Sequence, residues 1–538
     1  MTAPEAEARA PKRAGRPRAR TPGIVWARRA TQTGFLLLFL FLFLQTEQRG
    51  ADALGYPVKL FLDFDPLLLF SSLLSAHAAP AALWLSLLLI PVTLVLGRVF
   101  CGWACPLGTL NHLAGSFRHW PARPRSRSWF RVKYLLLIGL LAAALFSAQL
   151  TGLFDPLSLL VRSLALGAYP ALNVALNGLL DLAYGLKVNW APALGDALLK
   201  AFSATLLAFR QPHFRQGLLI TAILLAILGL NFIERRFWCR YLCPLGALLG
   251  LFARFGLLKR RVSEECTSCA LCDHACQGSA APGSTQGWKA SECFMCMSCE
   301  ASCPSGSGGF GFGLSPSPEP ADVGRRRAVL AAFSGAAAVA VLRAAPGPGA
   351  GRPAPLLIRP PGALREPDFL ERCVRCGECM KVCTTGGLQP TLLEAGLEGI
   401  WTPVLVPRIG YCEYNCTLCG QVCPTGAIQK LPAEQKRKVR IGLATIDKSR
   451  CLPYAHATPC IVCQEVCPTP VKAIWFERAA ALARIGATVQ VKQPRVDLDL
   501  CIGCGICEAK CPVLDQPAIT VSSLGESRDP DHQLLLSQ

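Results

Sequence analysis

"CTSCALCDHAC", Cys266 to Cys276, and "CFMCMSCEASCP", Cys293 to Pro304, share one spacing, C-x2-C-x2-C-x3-C. Three thiolates so close together wrap one cubane iron–sulfur cluster, while the fourth reaches across to a neighbouring cluster. On that rule Cys266, Cys269, Cys272 and Cys303 form one ligand set, and Cys293, Cys296, Cys299 and Cys276 form the other. A zinc site would need two CxxC pairs separated by a longer loop. Gln277 stands where proline usually follows the fourth cysteine, a departure that removes no ligand.

The pattern returns further along the chain. It reads "CVRCGECMKVC" (Cys373, Cys376, Cys379, Cys383), "CEYNCTLCGQVCP" (Cys412, Cys416, Cys419, Cys423), "CLPYAHATPCIVCQEVCP" (Cys451, Cys460, Cys463, Cys467) and "CIGCGICEAKCP" (Cys501, Cys504, Cys507, Cys511). The first and last keep the regular spacing. The second widens its first gap by one residue, and in the third eight residues separate Cys451 from Cys460. Thr384 replaces the proline after Cys383. These sixteen thiols fit four [4Fe–4S] clusters, about six along the chain with the earlier pair. Spacing alone leaves open which groups exchange their last cysteines.

The remaining four of the 28 cysteines lie in "CGWACPLG" (Cys101, Cys105) and "CRYLCPLG" (Cys239, Cys243). None is left over. Such regular use is metal or redox chemistry and not a disulfide framework.

A chain of 538 residues holds several modules. Its 52% hydrophobic content and mean hydropathy of +0.36 point to membrane segments. Apolar runs are centred on Gly34–Leu44, and extend over Ala79–Gly97, Tyr134–Leu150 and Gly217–Ile233. Each is long enough, or nearly so, to cross a core that needs about 20 residues. The net charge of +20 gathers beside these runs, at Arg28 and Arg29, at Arg118 to Lys133 and at Arg235 to Arg261. That is the look of cytoplasmic loops and not of a nucleic-acid surface. The loop Thr46–Ala78, with Glu47, Asp52, Asp63 and Asp65, suits the other side. The connection Phe154–Gln216 reads as interfacial or re-entrant, because Asn173, Asn177 and Asp181 argue against a plain span.

A repeat lies within this part. "FDPLLLF" (Phe64–Phe70) follows the first run and "FDPLSLL" (Phe154–Leu160) the third, and each precedes a run that ends in CxxxCPLG. Doubled membrane domains place shared sites between their halves. Residues i and i+4 share a helix face, so each CxxxC puts two thiols together, and the proline limits how that helix continues. Cys101, Cys105, Cys239 and Cys243 are thus expected at one site. It holds an iron–sulfur centre or another metal, or cycles between thiols and disulfide; the plain alternative is four inert buried cysteines. Asp65 and Asp155 read first as turn formers before proline, with a ligand role or an acid at the outer quinone level as the alternatives.

No CxxCH occurs, and the seven histidines are not paired within the apolar runs, which argues against haem. No GxGxxG opens a helix and no P-loop occurs, so nucleotides have no visible seat. Between the cysteine-rich halves, Arg325, Arg326 and Arg327 precede 15 apolar residues, Ala328 to Leu342, then a Pro/Gly-rich linker. This is short for a span and fits a twin-arginine signal core, which would carry the following domain out folded. The alternative is a buried helix with that domain left in the cytoplasm.

Residues from about 28 to 304 resemble the NapH/MauN-type membrane ferredoxins, and those from about 324 to 515 resemble the NapG/MauM-type exported ferredoxins. The second resemblance rests on the twin-arginine segment, "RPPGAL" (Arg359–Leu364) and "FLERCVRCGEC" (Phe369–Cys379). Together they imply a fusion: an α-helical membrane bundle of four spans in two repeats, followed by two bacterial-ferredoxin-like α+β modules. The divisions expected are a basic cytoplasmic tail (1–27), the membrane domain (28–260), a two-cluster ferredoxin domain (261–316), a signal- or anchor-like helix with linker (317–364), a four-cluster ferredoxin domain (365–518) and a tail (519–538). The resemblance also implies that among the later four groups the first pairs with the last and the second with the third. It implies a protein of the bacterial inner membrane, N-terminus and first ferredoxin domain cytoplasmic, second ferredoxin domain periplasmic. Electrons would pass from membrane quinol to a periplasmic oxidoreductase, with no residue transforming a substrate of its own and no nucleic acid as partner. Neither haem nor flavin bridges the bilayer, so quinone is the expected carrier between faces. Related CxxxCP proteins imply the competing reading, a maturation factor whose thiols serve copper-enzyme biogenesis.

Overall fold

Four short stretches set the architecture, because in each the backbone turns left-handed twice around one cysteine. The pairs are Ser268 and Ala270 beside Cys269, Met295 and Met297 beside Cys296, Arg375 and Gly377 beside Cys376, and Gly503 and Gly505 beside Cys504. Such turns aim successive backbone N–H groups into one concavity, which favours an anionic centre. Gly377 and Gly505 adopt the conformation at no steric cost; alanine and methionine adopt it against their own preference. The two irregular groups lack it, with Thr417 and Ile461 at negative φ.

The computed structural model describes residues 23–47, 52–117, 129–185, 213–283, 287–313, 323–344, 356–482 and 488–532, with isolated positions between 195 and 202. Most of the expected basic tail, the cluster of arginines at 118–127, much of the Pro/Gly linker and the last six residues lie outside the described residues. The chain forms two compact units. The first comprises Met1–Leu38, Leu88–Leu135 and Ile227–Gly324; the second comprises Phe39–Leu87, Leu136–Ala226 and Arg325–Gln538.

In the first unit, strand Leu258–Val262 pairs antiparallel with Gly308–Phe312, Leu258 opposite Phe312. The two strands bracket Cys266–Cys303, so the cysteine loops hang from one short ribbon. Trp288, Met295 and Met297 form the small core beneath it.

The second unit repeats that plan twice. Strand Leu443–Ile446 pairs with Ile519–Ser522 around the third and fourth cysteine groups. Ala363 bridges Ile428, with Gln429 N–H donating to the Gly362 carbonyl at 2.8 Å, around the first and second. Each copy carries an inserted ribbon, Leu388–Pro390 with Pro403–Leu405 and Ile474–Leu482 with Thr488–Val496. The single four-cluster module expected is therefore two two-group modules in tandem.

The apolar helices depart from expectation. Among the described residues two are long and apolar enough to cross a membrane, Gly23–Gln45 and Pro156–Gly185. The runs 81–96 and 217–232 form shorter helices, the first beginning as a 3-10 turn, and Phe130–Leu145 has 16 residues. At 1.5 Å per residue a 16-residue helix covers about 24 Å, less than the ~30 Å hydrocarbon core. Helix lengths thus show two candidate spans and not a four-span bundle. Pro156–Gly185 lies in the connection read as interfacial or re-entrant, and by length and composition it is a candidate span. A π-helical turn at Leu164–Ala168 interrupts but does not end it, and the Asn173 amide donates to the Tyr169 carbonyl at 2.9 Å, one turn back. The segment after the twin arginines is a 20-residue helix, Arg325–Ala344, that begins at the arginines themselves. It packs in the second unit through Gly335, where a Cβ would collide with the Gly139 carbonyl, and through Val339 against Ala143 and Ala148.

Candidate iron-sulfur and redox sites

In the first unit Cys266, Cys269, Cys272 and Cys303 line a cavity of about 370 Å³, with Arg260 and Asp273 on its rim. Cys269 is exposed. Cys293, by contrast, is buried with Cys276, Cys296 and Cys299 as its charge neighbours. Burial pushes the Cys276 thiol up to about 11 and the Cys299 thiol to about 12. Thiols so placed ionise when a metal compensates them, and binding then releases protons. Both sets are the ones the spacing rule assigns.

In the second unit Cys379 faces Cys376, Cys373 and Cys423, while Cys419 faces Cys412, Cys416 and Cys383. Cys507 faces Cys504 and Cys501, and Cys501 faces Cys467. Cys451, Cys460, Cys463 and Cys511 line a common pocket. The first group therefore exchanges its last cysteine with the second, and the third with the fourth. This overturns the first-with-last pairing that the resemblance implied. The reason lies in the strands: each ribbon brackets two groups adjacent in sequence, so the returning strand brings the later group's last cysteine back to the earlier one. The modules meet where Cys412 N–H donates to the Cys504 carbonyl at 2.8 Å.

Among the described residues no three His, Cys, Asp or Glu side chains gather closely enough for a single metal ion.

The CxxxCP motifs are built differently from expectation. Cys101 lies in the short helix Val99–Trp103 and Cys239 in the π turn Trp238–Leu242, but neither continues through the motif. Cys105 and Cys243 are extended, as residues before proline must be, and cap the next helices, Pro106–Ala114 and Pro244–Ala253. Their sulfurs accept from Gly108 N–H at 3.4 Å and Gly246 N–H at 3.2 Å. The four thiols are nonetheless neighbours, with Cys101 and Cys239 facing Cys105, and all three facing Cys243.

A buried ionic network surrounds them that nothing in the motif spacing announces. Arg98 places NH2 3.9 Å from Cys101 Sγ and donates through NH1 to the Ser291 carbonyl at 2.7 Å. Lys133 pairs closely with Glu292, which also accepts from Tyr134 Oη at 3.0 Å. Arg236 donates to the Cys101 carbonyl at 3.3 Å. Trp103 Nε1 donates to the Met295 carbonyl at 2.8 Å, so the tetrathiol site shares a wall with the loop carrying Cys293 and Cys296. A charged residue inside an apolar stretch, such as Arg98 after "LVLG", is the one sequence signal that could have flagged it.

In the second unit Asp65 and Asp155 do cap turns. Asp65 Oδ1 accepts from Leu67 N–H at 2.8 Å and Asp155 Oδ2 from Ser158 N–H at 2.7 Å, each before a proline that opens a helix. The first two-group module is seated on these helices. Arg375 donates to the Gln149 carbonyl, Arg162 to the Arg375 carbonyl at 3.0 Å, and Ser75 Oγ to the Glu371 carbonyl at 2.7 Å. Asp52 accepts from Thr417 N–H and Oγ1, both at 2.8 Å. Arg343, near the end of helix Arg325–Ala344, pairs with Glu398 at 3.1 Å and bonds the Ser147 carbonyl at 3.2 Å.

The family described as "4Fe-4S binding domain" matches residues 78–127, 216–263 and 419–442, and a second family of the same description matches 494–514. The first two stretches hold the two CxxxCP motifs, so one profile recognises both halves of the repeat. The chain is 40% identical over 168 residues to the methylamine utilization ferredoxin-type protein MauM of Methylorubrum extorquens, covering 30% of this chain and 71% of that protein. It is 39% identical over 169 residues to the ferredoxin-type protein NapG of Escherichia coli, covering 31% and 71%. MauM of Paracoccus denitrificans gives 39% over 169 residues, 30% and 70%. No solved structure matches. Thiols gathered in sets of four, on repeated strand-bracketed loops, are what an electron-transfer protein of this kind requires, and through one part of its length the chain belongs to the NapG/MauM family of ferredoxin-type proteins.

Proposed function

We propose that this protein is a membrane-bound electron-transfer protein that takes electrons from membrane hydroquinone and delivers them to an oxidoreductase on the periplasmic side. Iron–sulfur electron transfer itself follows from the family; the route is the proposal. Bound at the six thiol sets, [4Fe–4S] clusters would each accept and release one electron. The chain's own residues supply the rest. Cys373, Cys376, Cys379 and Cys423 belong to the module whose Arg375 and Glu371 bond the apolar helices, and the thiol sets then follow one another through Cys412 and Cys504 to the pocket of Cys451, Cys460, Cys463 and Cys511. Basic residues beside the apolar runs favour a cytoplasmic side for those loops by the positive-inside rule, and the arginines that open helix Arg325–Ala344 favour export of the module that follows it.

The observation that carries the reading is the seating of Arg375, next to Cys376, on the Gln149 carbonyl beside the second Asp-Pro corner. It brings a thiol set to the helix ends where a lipid-soluble hydroquinone can arrive. The test is anaerobic addition of hydroquinone to the purified full chain in detergent, followed by EPR. Cluster reduction supports the route, and clusters that dithionite reduces but hydroquinone does not would sink it.

A further inference from the structure

Asp65 and Asp155 come from equivalent places in the two FDPL repeats, and the structure brings their carboxyl groups within hydrogen-bonding reach of each other. Both residues are fully buried. Each spends one oxygen on a helix N-terminus, as described above. The other oxygens, Asp65 Oδ2 and Asp155 Oδ1, have no hydrogen bond of good geometry, although the Ser158 hydroxyl, itself unpartnered, lies beside Asp155. Two acceptor oxygens cannot hydrogen-bond each other unless one carries a proton. Two carboxylates sharing a dry site cannot both ionise, so such a pair holds one proton between them.

The surroundings give that proton a use. Arg162 is the cation facing Asp155, and its remaining charge partners are Arg375, Cys376 and Cys373. Its NH1 bridges the Gly152 carbonyl, three residues before Asp155, at 3.1 Å and the Arg375 carbonyl, one residue before Cys376, at 3.0 Å. One buried guanidinium therefore stands between a proton-sharing pair and a thiol set. Of the other charged groups on the elements packed here, Lys59, Asp63 and Lys381 face Glu378, and Glu371, on the helix Glu366–Arg372 beside Pro66–Ala76, faces Asp368, Arg343 and Arg372. Gln149 Oε1 and Thr151 Oγ1, on the loop leading to Asp155, are buried without partners as well.

We infer that Asp65 and Asp155 form a one-proton carboxyl pair that accepts the protons of hydroquinone oxidation beside the Cys373 set. The inference rests on the quinol route proposed above. Oxidising one hydroquinone breaks two O–H bonds and yields two protons and two electrons. The pair, already holding one proton, takes up one more at each one-electron step and returns it to solvent between steps. The electrons leave to the iron–sulfur centre that Cys373, Cys376, Cys379 and Cys423 would hold.

The experiment is infrared difference spectroscopy on the full holoprotein, wild type against Asp65→Asn and Asp155→Asn, with hydroquinone- and dithionite-driven cluster reduction measured on the same samples. Asparagine caps a helix about as well as aspartate, so the variants fold. The expected result is a protonated-carboxyl band at neutral pH in wild type that both variants lose. Hydroquinone-driven reduction should slow at least tenfold in both, while reduction by dithionite is unchanged. No such band, or variants reduced by hydroquinone at the wild-type rate, would overturn the pair's role. If hydroquinone fails to reduce wild type, the route and the proton-accepting role fall together, and the band alone then decides whether the shared proton exists.

Discussion

Four corners of this molecule have the same local construction and different chemistry. Cys105 and Cys243 in the first unit, and Asp65 and Asp155 in the second, are each an extended residue before a proline, each capping the helix that the proline opens. Both pairs bring equivalent positions of the two repeats together. At the cysteine corners the surroundings are cationic, with Arg98 and Lys133 buried around the carboxylate of Glu292 and Arg236 buried against the Cys101 carbonyl. At the aspartate corners the two acids face each other, with Arg162 to one side. The same turn thus presents four thiols to positive charge in one unit and a shared proton in the other. A cap geometry says where a side chain points; its neighbours decide what it can do.

The largest expected effect tests the cationic corner. Lys133→Met leaves Glu292 buried with its closest partner gone, and breaking a buried pair in this way costs about 3–5 kcal/mol. Thermal unfolding of the first unit should shift down by many degrees, and a shift within error would mean that Arg98 and Tyr134 suffice to hold Glu292.

Next is the contact that seats a thiol set on the aspartate corners. Arg375→Met removes charge-assisted bonds to the Gln149 and Ile400 carbonyls, each worth about 1.5–3 kcal/mol. Amide exchange at residues 149–155 should rise by an order of magnitude or more, while residues 488–522 stay protected. Unchanged exchange at 149–155 would show that Ser75 and Asp52 carry the docking.

A carboxylate held by guanidinium groups sharpens the contrast with carboxyls held by each other. Burial opposes ionisation of Glu366, but Arg359 and Arg528 outweigh it and hold its carboxyl down at about 2. A depressed acid contributes stability that is present above its unfolded pKa of about 4.3 and is lost as pH falls toward 2. Glu366→Gln should cost about 2–3 kcal/mol at pH 7, with the gap to wild type closing below pH 4. A pH-independent difference would place the loss in packing and not in charge.

The smallest effect belongs to Asp65→Asn. Asparagine keeps the cap and supplies permanently the donor that the shared proton supplies in wild type, so stability should stay within about 1 kcal/mol. A larger loss would mean that both carboxyls are ionised in wild type and that the pair holds no proton.

The cluster cysteines were legible from spacing because the ligand rule is local: three thiols within seven residues must wrap one centre. In the first unit the structure brings the thiols together in those same two groupings. The pairing of the later groups was not legible, since nothing between Cys383 and Cys412 or between Cys467 and Cys501 states which strand returns beside which. The turn at each Asp-Pro was readable from two residues, whereas the meeting of Asp65 with Asp155 needed both repeats folded. Helix Pro156–Gly185 was hidden by Asn173, whose amide donates to the carbonyl one turn back along its own helix.

What the sequence by itself determined is the chemistry available: 28 cysteines, all in motifs, and two copies of an FDPL and CxxxCPLG unit. Those follow from neighbours along the chain. What only the tertiary structure decided is which charges share a dry space. The network around Glu292, the proton between two aspartates and the arginine between them and a thiol set join residues tens to hundreds of positions apart, and burial makes such pairings matter because water no longer screens them.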